Sequence, residues 1–220
     1  MAEWLWDENS HRYRSSATGR FLSPTTDAAL RAEFVEARKV AITNLGRGLG
    51  EGSLTVNEFR RAMRDEIESL NGVEFMFGRG GRKAMTLDDR RALSALIGQE
   101  WAHVDNFTIQ AAAGSMSARQ IEARAAMYAS AGHKSAEAGR MASYVGFRAP
   151  AMPGVGTICR SNCRCSWSVT ETDDGWRARW VRHATDSCET CVSREAQYGE
   201  YIQSKPGRAV PVGDAVGVLG

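Results

Sequence analysis

Apolar residues recur at helical spacing along the first two thirds of the chain, with polar residues between them. The first such stretch covers about residues 27–45, follows Ser23-Pro24, and predicts one face of an amphipathic helix. Three further helices are predicted on the same grounds, each after a residue able to cap its first turn. They are expected from Thr55 or Asn57 to about Leu70, from Thr86 through Phe107 towards Gly114, and from Ser117 onward.

Two glycine-rich segments separate these helices, at residues 46–52 and 78–83. The first lacks the Lys-Ser/Thr pair of a Walker phosphate-binding loop, so it is interpreted as a flexible turn that ends the first helix. The second also contains Arg79, Arg82 and Lys83. It is interpreted as a solvated loop, with contact to a phosphate backbone as the alternative.

The pattern changes to alternation after the segment Ala149–Gly156, which breaks the helical spacing. Residues 164–170 and 176–180 alternate apolar and polar positions on either side of the turn Thr172-Asp173-Asp174-Gly175, which predicts a β-hairpin. A last helix is predicted from Thr185 or Asp186 to about Ile202, with two cysteines on its first turns.

The two ends of the chain carry neither pattern. Residues 1–23 mix Trp, Tyr and Phe with arginines and turn residues, and are interpreted as an extended aromatic arm. The predicted fold is mainly α, a helical body with a small Cys-rich β-hairpin and extended terminal arms. Its four segments are residues 1–23, the helical domain 24–148, the Cys-rich hairpin and helix 149–203, and the extended tail 204–220.

Composition narrows the classes of function. The 220 residues are 43% hydrophobic and 25% charged, with a formal net charge of +2, so no chain-wide polyanion binding is indicated. No apolar run approaches the length of about 18 residues that could span a bilayer, and the acidic, aromatic start does not resemble a signal peptide. We therefore expect folding in a cytoplasm and no membrane contact. There, clustered cysteines hold metal more often than they form disulfides.

All five cysteines fall in two clusters on either side of the predicted hairpin. Clusters brought to one end of a hairpin suit a tetrahedral thiolate site, and four thiolates suit structural Zn²⁺. The predicted ligands are Cys159, Cys163, Cys188 and Cys191. Cys165 is the alternative ligand and His183 a weaker one, while disulfides or free buried thiols remain the competing interpretation.

Catalysis is not predicted. Four thiolates leave no open position for a water on the metal, and the four histidines are scattered along the chain. Glu100 and His103 could share one helix face, as in di-metal carboxylate bundles, but the second such pair is missing.

Nucleic-acid contact has two candidate sets of cations. The first lies along the fourth predicted helix, where cations alternate with Tyr128 and Tyr144; an ordinary charged helix face is the alternative. Its DNA-facing candidates are Arg119, Arg124, Lys134, Arg140 and Arg148. The second surrounds the cysteines, at Arg160, Arg164, Arg177, Arg179 and Arg182, and would suit a nucleic-acid-binding zinc-knuckle protein.

The cysteine segment also resembles a known family. Residues 153–165, with the sequence PGVGTICRSNCRC, contain a C-x-x-N-C-x-C element, and Cys188-Glu189-Thr190-Cys191 supplies a later C-x-x-C pair. This arrangement is similar to that of the phage Mu F-like minor head proteins, head morphogenesis proteins of tailed phages, behind a helical N-terminal region. Residues 124–129, 12–14 and 19–21 are also similar to sequence in that family. One departure is that Pro206-Gly207 is present without the further Asn-Cys-x-Cys element that often follows it.

The resemblance implies a structural virion component rather than an enzyme. Such a protein acts at the portal or head–tail region, in capsid assembly and in packaging or retention of the genome. Its expected partners are the portal protein, the major capsid protein or other virion proteins, and possible phosphate contacts to packaged DNA. Its expected location is the virion, and the host cytoplasm during assembly.

Overall fold

The computed structural model describes residues 4–7, 9–10, 12–159, 163–183 and 187–205. The protein is mainly α with a small β region, as the sequence predicts. The helices are α1 (Pro24–Gly50), α2 (Val56–Arg79), α3 (Leu87–Ala112), α4 (Ala118–Met127), α5 (Gly132–Ser143) and α6 (Glu189–Gln197). The strands are β1 (Trp4–Asp7), β2 (Arg12–Ser15), β3 (Ser166–Glu171), β4 (Gly175–Val181) and β5 (Tyr201–Ser204).

The starts of the helices agree with the caps read from the sequence. Ser23 caps α1 by accepting a hydrogen bond from the backbone N–H of Thr26. Capping boxes open the next three helices, because a hydroxyl and a side chain three residues later each satisfy a backbone N–H. These pairs are Thr55 with Glu58, Thr86 with Asp89, and Ser117 with Gln120.

The predicted turn at residues 46–52 is wrong, because α1 continues through Gly46 and Gly48 to Gly50. A Cβ on Gly46 would lie 2.5 Å from Ala125 Cβ, and one on Gly50 would lie 2.9 Å from Ala118 Cα. These two glycines stand one helical turn apart and let the backbone of α4 approach α1. They are packing positions within a helix rather than a loop.

Helix α2 also runs past its predicted end at Leu70, as far as Arg79. It stops at Gly80, whose φ of 102° lies in the left-handed region that favours glycine after a helix. Gly78 lies inside the helix, and a Cβ there would meet Ala136 O of α5 at 2.3 Å. The second glycine segment is therefore partly a helix–helix contact and partly a helix terminus.

Helices α1 to α4 and the turn that follows α4 form an apolar core. Phe107 of α3 lies edge-to-face on Phe59 of α2, with ring centroids 5.5 Å apart, and stacks on Tyr128 beyond α4. The most buried members come from four helices: Ile42, Phe59, Met63, Ile67, Val104, Phe107 and Ala125. Within the described residues, no helix combines the length and apolar character needed to cross a membrane.

The N-terminal arm folds back on itself as the antiparallel hairpin β1–β2, in which Trp6 is paired with Tyr13. The Tyr13 hydroxyl donates to the carbonyl of Phe77 at 3.1 Å, and the two rings lie 5.1 Å apart. A Cβ on Gly80 would lie 2.6 Å from the Trp6 ring. The aromatic anchors therefore fix the arm to the end of α2.

The second sheet has the order β3-β4-β5 and is antiparallel throughout. The predicted hairpin is β3–β4, with Trp167 opposite Trp180 on the buried face. The last helix ends at Gln197 rather than near Ile202, and the chain then adds β5 to the sheet. The predicted starts of this helix, Thr185 and Asp186, lie outside the described residues. The same is true of tail residues 206–220.

Polar contacts from α5 join this sheet to the helical body. Glu137 accepts a hydrogen bond from the backbone N–H of Trp167 at 3.3 Å, and Arg140 donates to the carbonyl of Trp167. Arg140 also forms an ion pair with Glu137 at 2.8 Å. His133 Nε2 lies 2.9 Å from the carbonyl oxygen of Cys165. The start of β3 is thus held directly on α5.

Candidate metal centre

Four cysteines from both sequence clusters meet at one end of the β3–β4 hairpin. Cys159 and Cys163 come from the chain that leads into β3, and Cys188 and Cys191 from the start of α6. Cys188 is the N-cap of α6, so Cys191 lies three residues further on the same side of the helix. The hairpin brings the clusters together because Ser166 is opposite Val181, near the ends where each cluster attaches.

The distances between these sulfurs define the cluster. Cys191 Sγ lies 3.6 Å from Cys159 Sγ, 3.9 Å from Cys163 Sγ and 3.5 Å from Cys188 Sγ, and Cys188 and Cys159 are 3.5 Å apart. A tetrahedral ion with bonds of about 2.3 Å to sulfur has sulfur–sulfur edges of about 3.8 Å. A disulfide needs about 2.05 Å, and all five cysteines are free thiols.

The cluster formed by Cys159, Cys163 and Cys191 could therefore hold a metal ion, since its three sulfurs lie within 4.8 Å of one another. Cys188, the fourth ligand predicted from the sequence, contacts Cys159 and Cys191 but lies outside this group of three. Cys163 and Cys191 are buried, and Cys159 and Cys188 are partly exposed. An ion would reach the cluster from the side of Cys159 and Cys188.

The thiols differ in their protonation. Burial raises the pKa of Cys188, but the backbone N–H groups of Cys191 and Cys159 and the neighbouring thiols lower it more, to about 6. Burial and hydrogen bonds with the other thiols raise the pKa of Cys191. Burial also raises the pKa of Cys159. One thiolate is therefore favoured at neutral pH, and a metal that binds all four sulfurs must displace the remaining protons.

Cys165 lies beside the cluster but is held differently. Burial raises the pKa of its thiol to about 11, and the thiol is in hydrogen-bond contact with Cys191 and Cys163. Its carbonyl oxygen is fixed by His133 of α5. It remains the alternative ligand. The other alternative, His183, is exposed on the hairpin with its Nε2 2.7 Å from the Ser166 hydroxyl.

Two residues that sequence reasoning overlooked support the cluster. Arg194 lies 5.4 Å from the Trp180 ring and donates to the carbonyl of Met152 at 3.1 Å, which links α6 to the chain before Cys159. Thr157 Oγ1 accepts a hydrogen bond from Cys159 Sγ at 3.4 Å. The spacing of Arg194, three residues after Cys191, is a signal that could have placed it on the same face of α6.

The five DNA-facing candidates do not form one surface. Lys134 is buried and its Nζ lies 2.5 Å from Glu100 Oε1. Arg140 is engaged with Glu137 and Trp167, and Arg124 lies over the Phe107 ring at 5.0 Å. Only Arg119 and Arg148 of the five are exposed. The interpretation of this stretch as one cationic face therefore does not hold for Lys134 and Arg140, since each is paired with a carboxylate.

Glu100 and His103 line a cleft of about 1360 Å³ between α3, α4 and residues 154–159. The carboxylate of Glu100 is already occupied by Lys134, while His103 is exposed. Glu100 is therefore engaged in an ion pair. Among the described residues, this Glu-x-x-His motif does not form a di-metal site.

Comparison of this chain with protein-family models, curated proteins and solved structures finds no match. What can be concluded about the site therefore depends on its own geometry. That geometry has two elements: three sulfurs from two motifs within 4.8 Å of one another, with Cys188 beside two of them, and an α5 helix that fixes the strand between the motifs.

Proposed function

We propose that this chain is a structural component of a tailed-phage virion, a minor head protein that acts at the portal or head–tail region. Its role would be in capsid assembly and in packaging or retention of the genome. The observation that carries the proposal is the meeting of the C-x-x-N-C-x-C and C-x-x-C motifs in one cluster of sulfurs. Those motifs are the part of the chain that resembles the phage family.

The finer proposal is that Cys159, Cys163, Cys188 and Cys191 bind one Zn²⁺. Four thiolates are a preferred ligand set for Zn²⁺, and four of the six sulfur–sulfur distances, at 3.5–3.9 Å, are near the edge of about 3.8 Å for that ion. Cys188 would move towards Cys163 to close the tetrahedron, since it lies outside the group of three sulfurs within 4.8 Å of one another. Four sulfur ligands fill a tetrahedral site and leave no position for a reacting water. The ion would therefore have a structural role, and no catalysis is part of the proposal.

The position of the cluster indicates what the ion would stabilise. It would join the chain before β3 to the start of α6, two segments that the hydrogen bond from Arg194 to the carbonyl of Met152 also links. This would fix the three-stranded sheet in one orientation on α5. A rigid sheet on a helical body is suited to hold neighbours in an assembly, since little conformational freedom is lost on binding.

The test is whether the protein enters the particle. A tagged copy would be expressed during growth of the phage or induction of the prophage that carries the gene, and mature particles would be purified by density-gradient centrifugation. We expect the protein in the particle band at low copy number relative to the major capsid protein. Its absence from particles that are otherwise complete would contradict the proposal.

A matched variant sharpens this test. Arg90→Gln changes an exposed residue of α3, whereas Cys191→Ser removes the sulfur that contacts the three other predicted ligands. We expect incorporation of Arg90→Gln at the wild-type level and loss of Cys191→Ser from the particle. Equal incorporation of both variants would mean that the cysteine cluster is not what joins the protein to the virion.

A further inference from the structure

The outward face of the sheet β3-β4-β5 has no function in the proposal above. Strand residues alternate between two faces, and the inward positions Trp167, Ala178 and Trp180 are buried. The intervening positions lie on the other face, and most are exposed, although Ser168 and Arg179 also line a cleft of about 520 Å³ with side chains of α5. Ser166 and Val181 on this face are partly buried. The exposed positions carry hydroxyls, arginines and one isoleucine: Ser168, Thr170, Arg177, Arg179, Ile202 and Ser204.

The two arginines on this face are free. Arg177 lies opposite Thr170 on one side and Ile202 on the other, and Arg179 lies opposite Ser168. Within the described part of the chain, neither guanidinium has a hydrogen bond, an ion pair or an aromatic ring as partner. Two residues along one strand are about 7 Å apart, so the two charges are adjacent and on the same side.

Other arginines of the protein are paired with carboxylates. Arg182 follows the same strand but forms an ion pair with Glu195 at 2.5 Å, and Arg79 is paired with Asp89 in the body. Unpaired arginines in a row raise the local positive potential and attract an anionic partner. Arg164 is a further exposed cation, just before β3.

Carboxylates are absent from the outward strand positions that the structure describes. Glu137 of α5 lines a cleft with Ser168 and Arg179, but its carboxylate is engaged by Arg140 at 2.8 Å and by the backbone N–H of Trp167. Glu171, at the end of β3, is paired with Lys205 at 2.8 Å. The face therefore combines positive charge with hydroxyl donors and little compensating negative charge. Arginine, serine and threonine are residue types that contact the phosphates of nucleic acids.

We propose that this face binds the phosphate backbone of duplex DNA independently of sequence. Its outward positions in the described strands carry no aromatic ring, so bases of a single strand would find no stacking platform. The higher charge density of a duplex favours it over a single strand. This inference stands apart from the virion role, because it concerns only the sheet surface.

The small number of charges sets the strength of binding. Two or three phosphate contacts give a slope of log K against log salt of about −2 to −3. With a net charge of only +2, binding is weak and becomes appreciable where DNA is concentrated.

The experiment measures binding of the full chain to a short fluorescent duplex of mixed sequence by anisotropy, over a series of salt concentrations. The double variant Arg177→Gln/Arg179→Gln should bind about tenfold more weakly at low salt, and its salt slope should fall by about two. The matched control Arg61→Gln/Arg90→Gln removes the same charge from exposed positions on α2 and α3. Its affinity should change less than about threefold, because charges outside the contact surface act on the DNA only through a screened field. Near-UV circular dichroism of all three proteins checks that the fold is kept.

Several results would overturn the proposal. Equal weakening in the two double variants would mean that only net charge matters, and undetectable binding by the wild-type chain would remove the surface altogether. Tighter binding to a single strand would exclude the duplex. Competition by polyglutamate as effective as that by unlabelled duplex would identify an acidic protein surface as the partner. Each result is independent of whether the protein is found in phage particles.

Discussion

The helical body, α1 to α5, and the cysteine module, residues 149–205, are stabilised in different ways. In the body, glycines bring helix backbones together, as Gly78 does against Ala136, around a core of aliphatic and aromatic side chains. The module has three short strands and the nine-residue helix α6. Its core consists largely of tryptophans and cysteines, among them Trp167, Trp180 and Cys191.

The two regions differ in what stabilises them. The body has five helices packed around a core of aliphatic and aromatic side chains. The module has too few residues to bury a large core, and small units of this kind commonly need a disulfide or a metal. Its five cysteines form no disulfide. We therefore expect the body to be stable on its own and the module to depend on the ion proposed here.

The largest effect should come from a variant that cannot bind the ion. Cys191→Ser deletes the sulfur in contact with the three others, so zinc content should fall from about one equivalent to nearly none. Structural zinc in small domains contributes about 10–16 kcal/mol of apparent binding energy, so its loss should unfold the module. Elemental analysis measures the zinc, and hydrogen exchange should show lost protection in residues 163–205 with α1 to α5 unchanged.

The control for this test is Cys165→Ser, which alters the fifth thiol. If Cys159, Cys163, Cys188 and Cys191 are the ligands, this variant should keep about one equivalent of zinc. If Cys165→Ser loses zinc and Cys188→Ser keeps it, then Cys165 is the fourth ligand and Cys188 is not. Less than about half an equivalent of zinc in wild-type protein purified under reducing conditions would contradict the zinc proposal. The expectation that the module depends on an ion and the body does not would then also be wrong.

A second effect, in the body, should be of several kcal/mol. In Gly78→Ala the new methyl would lie 2.3 Å from the carbonyl oxygen of Ala136, so α2 and α5 must move apart. We expect a loss of about 3 kcal/mol in the free energy of unfolding, because backbone atoms cannot rotate away as a side chain can. Urea denaturation followed by far-UV circular dichroism measures it.

Gly72→Ala is the matched control in the same helix. Nothing lies within 4 Å of a Cβ at Gly72, so alanine there should stabilise α2 by about 0.5–1 kcal/mol through its better helix propensity. Opposite signs for the two variants would establish close backbone packing as the basis of the body. Two small effects of the same sign would show that α2 and α5 are not in backbone contact.

These glycines also mark the limit of what the sequence predicts. Local signals are reliable here: the capping pairs at Thr55, Thr86 and Ser117 begin their helices as expected, and alternation identifies the β3–β4 hairpin. Each depends on residues close together in the chain. The hairpin then suffices to predict that the two cysteine clusters meet, since its strands end where the clusters begin.

The errors arise where distant segments decide the outcome. Residues 46–50 have the composition of a turn but stay helical, because α4 packs against their missing side chains. Lys134 looks like a surface cation in sequence, yet its carboxylate partner Glu100 places it inside. Neither outcome can be read from local spacing, since the partner of Lys134 is 34 residues away.

The smallest of the expected effects concerns that buried ion pair. Glu100→Gln leaves the shape of the side chain but removes the charge facing Lys134, whose side chain is 8% exposed. The ammonium would keep one hydrogen-bond acceptor and lose its counter-charge, so we expect the body to lose about 2 kcal/mol. Zinc content should stay the same, because the pair joins α3 to α5 without contacting the cysteines.

Two controls separate burial from charge in this test. Asp88→Asn removes the partner of Arg91 in an ion pair whose side chains are 88% and 71% exposed, and should cost less than about 0.5 kcal/mol. Glu100→Leu combined with Lys134→Met removes both buried charges and should restore stability to within about 1 kcal/mol of wild type. If the double variant were as unstable as Glu100→Gln alone, the cost would come from packing along the α3–α5 cleft.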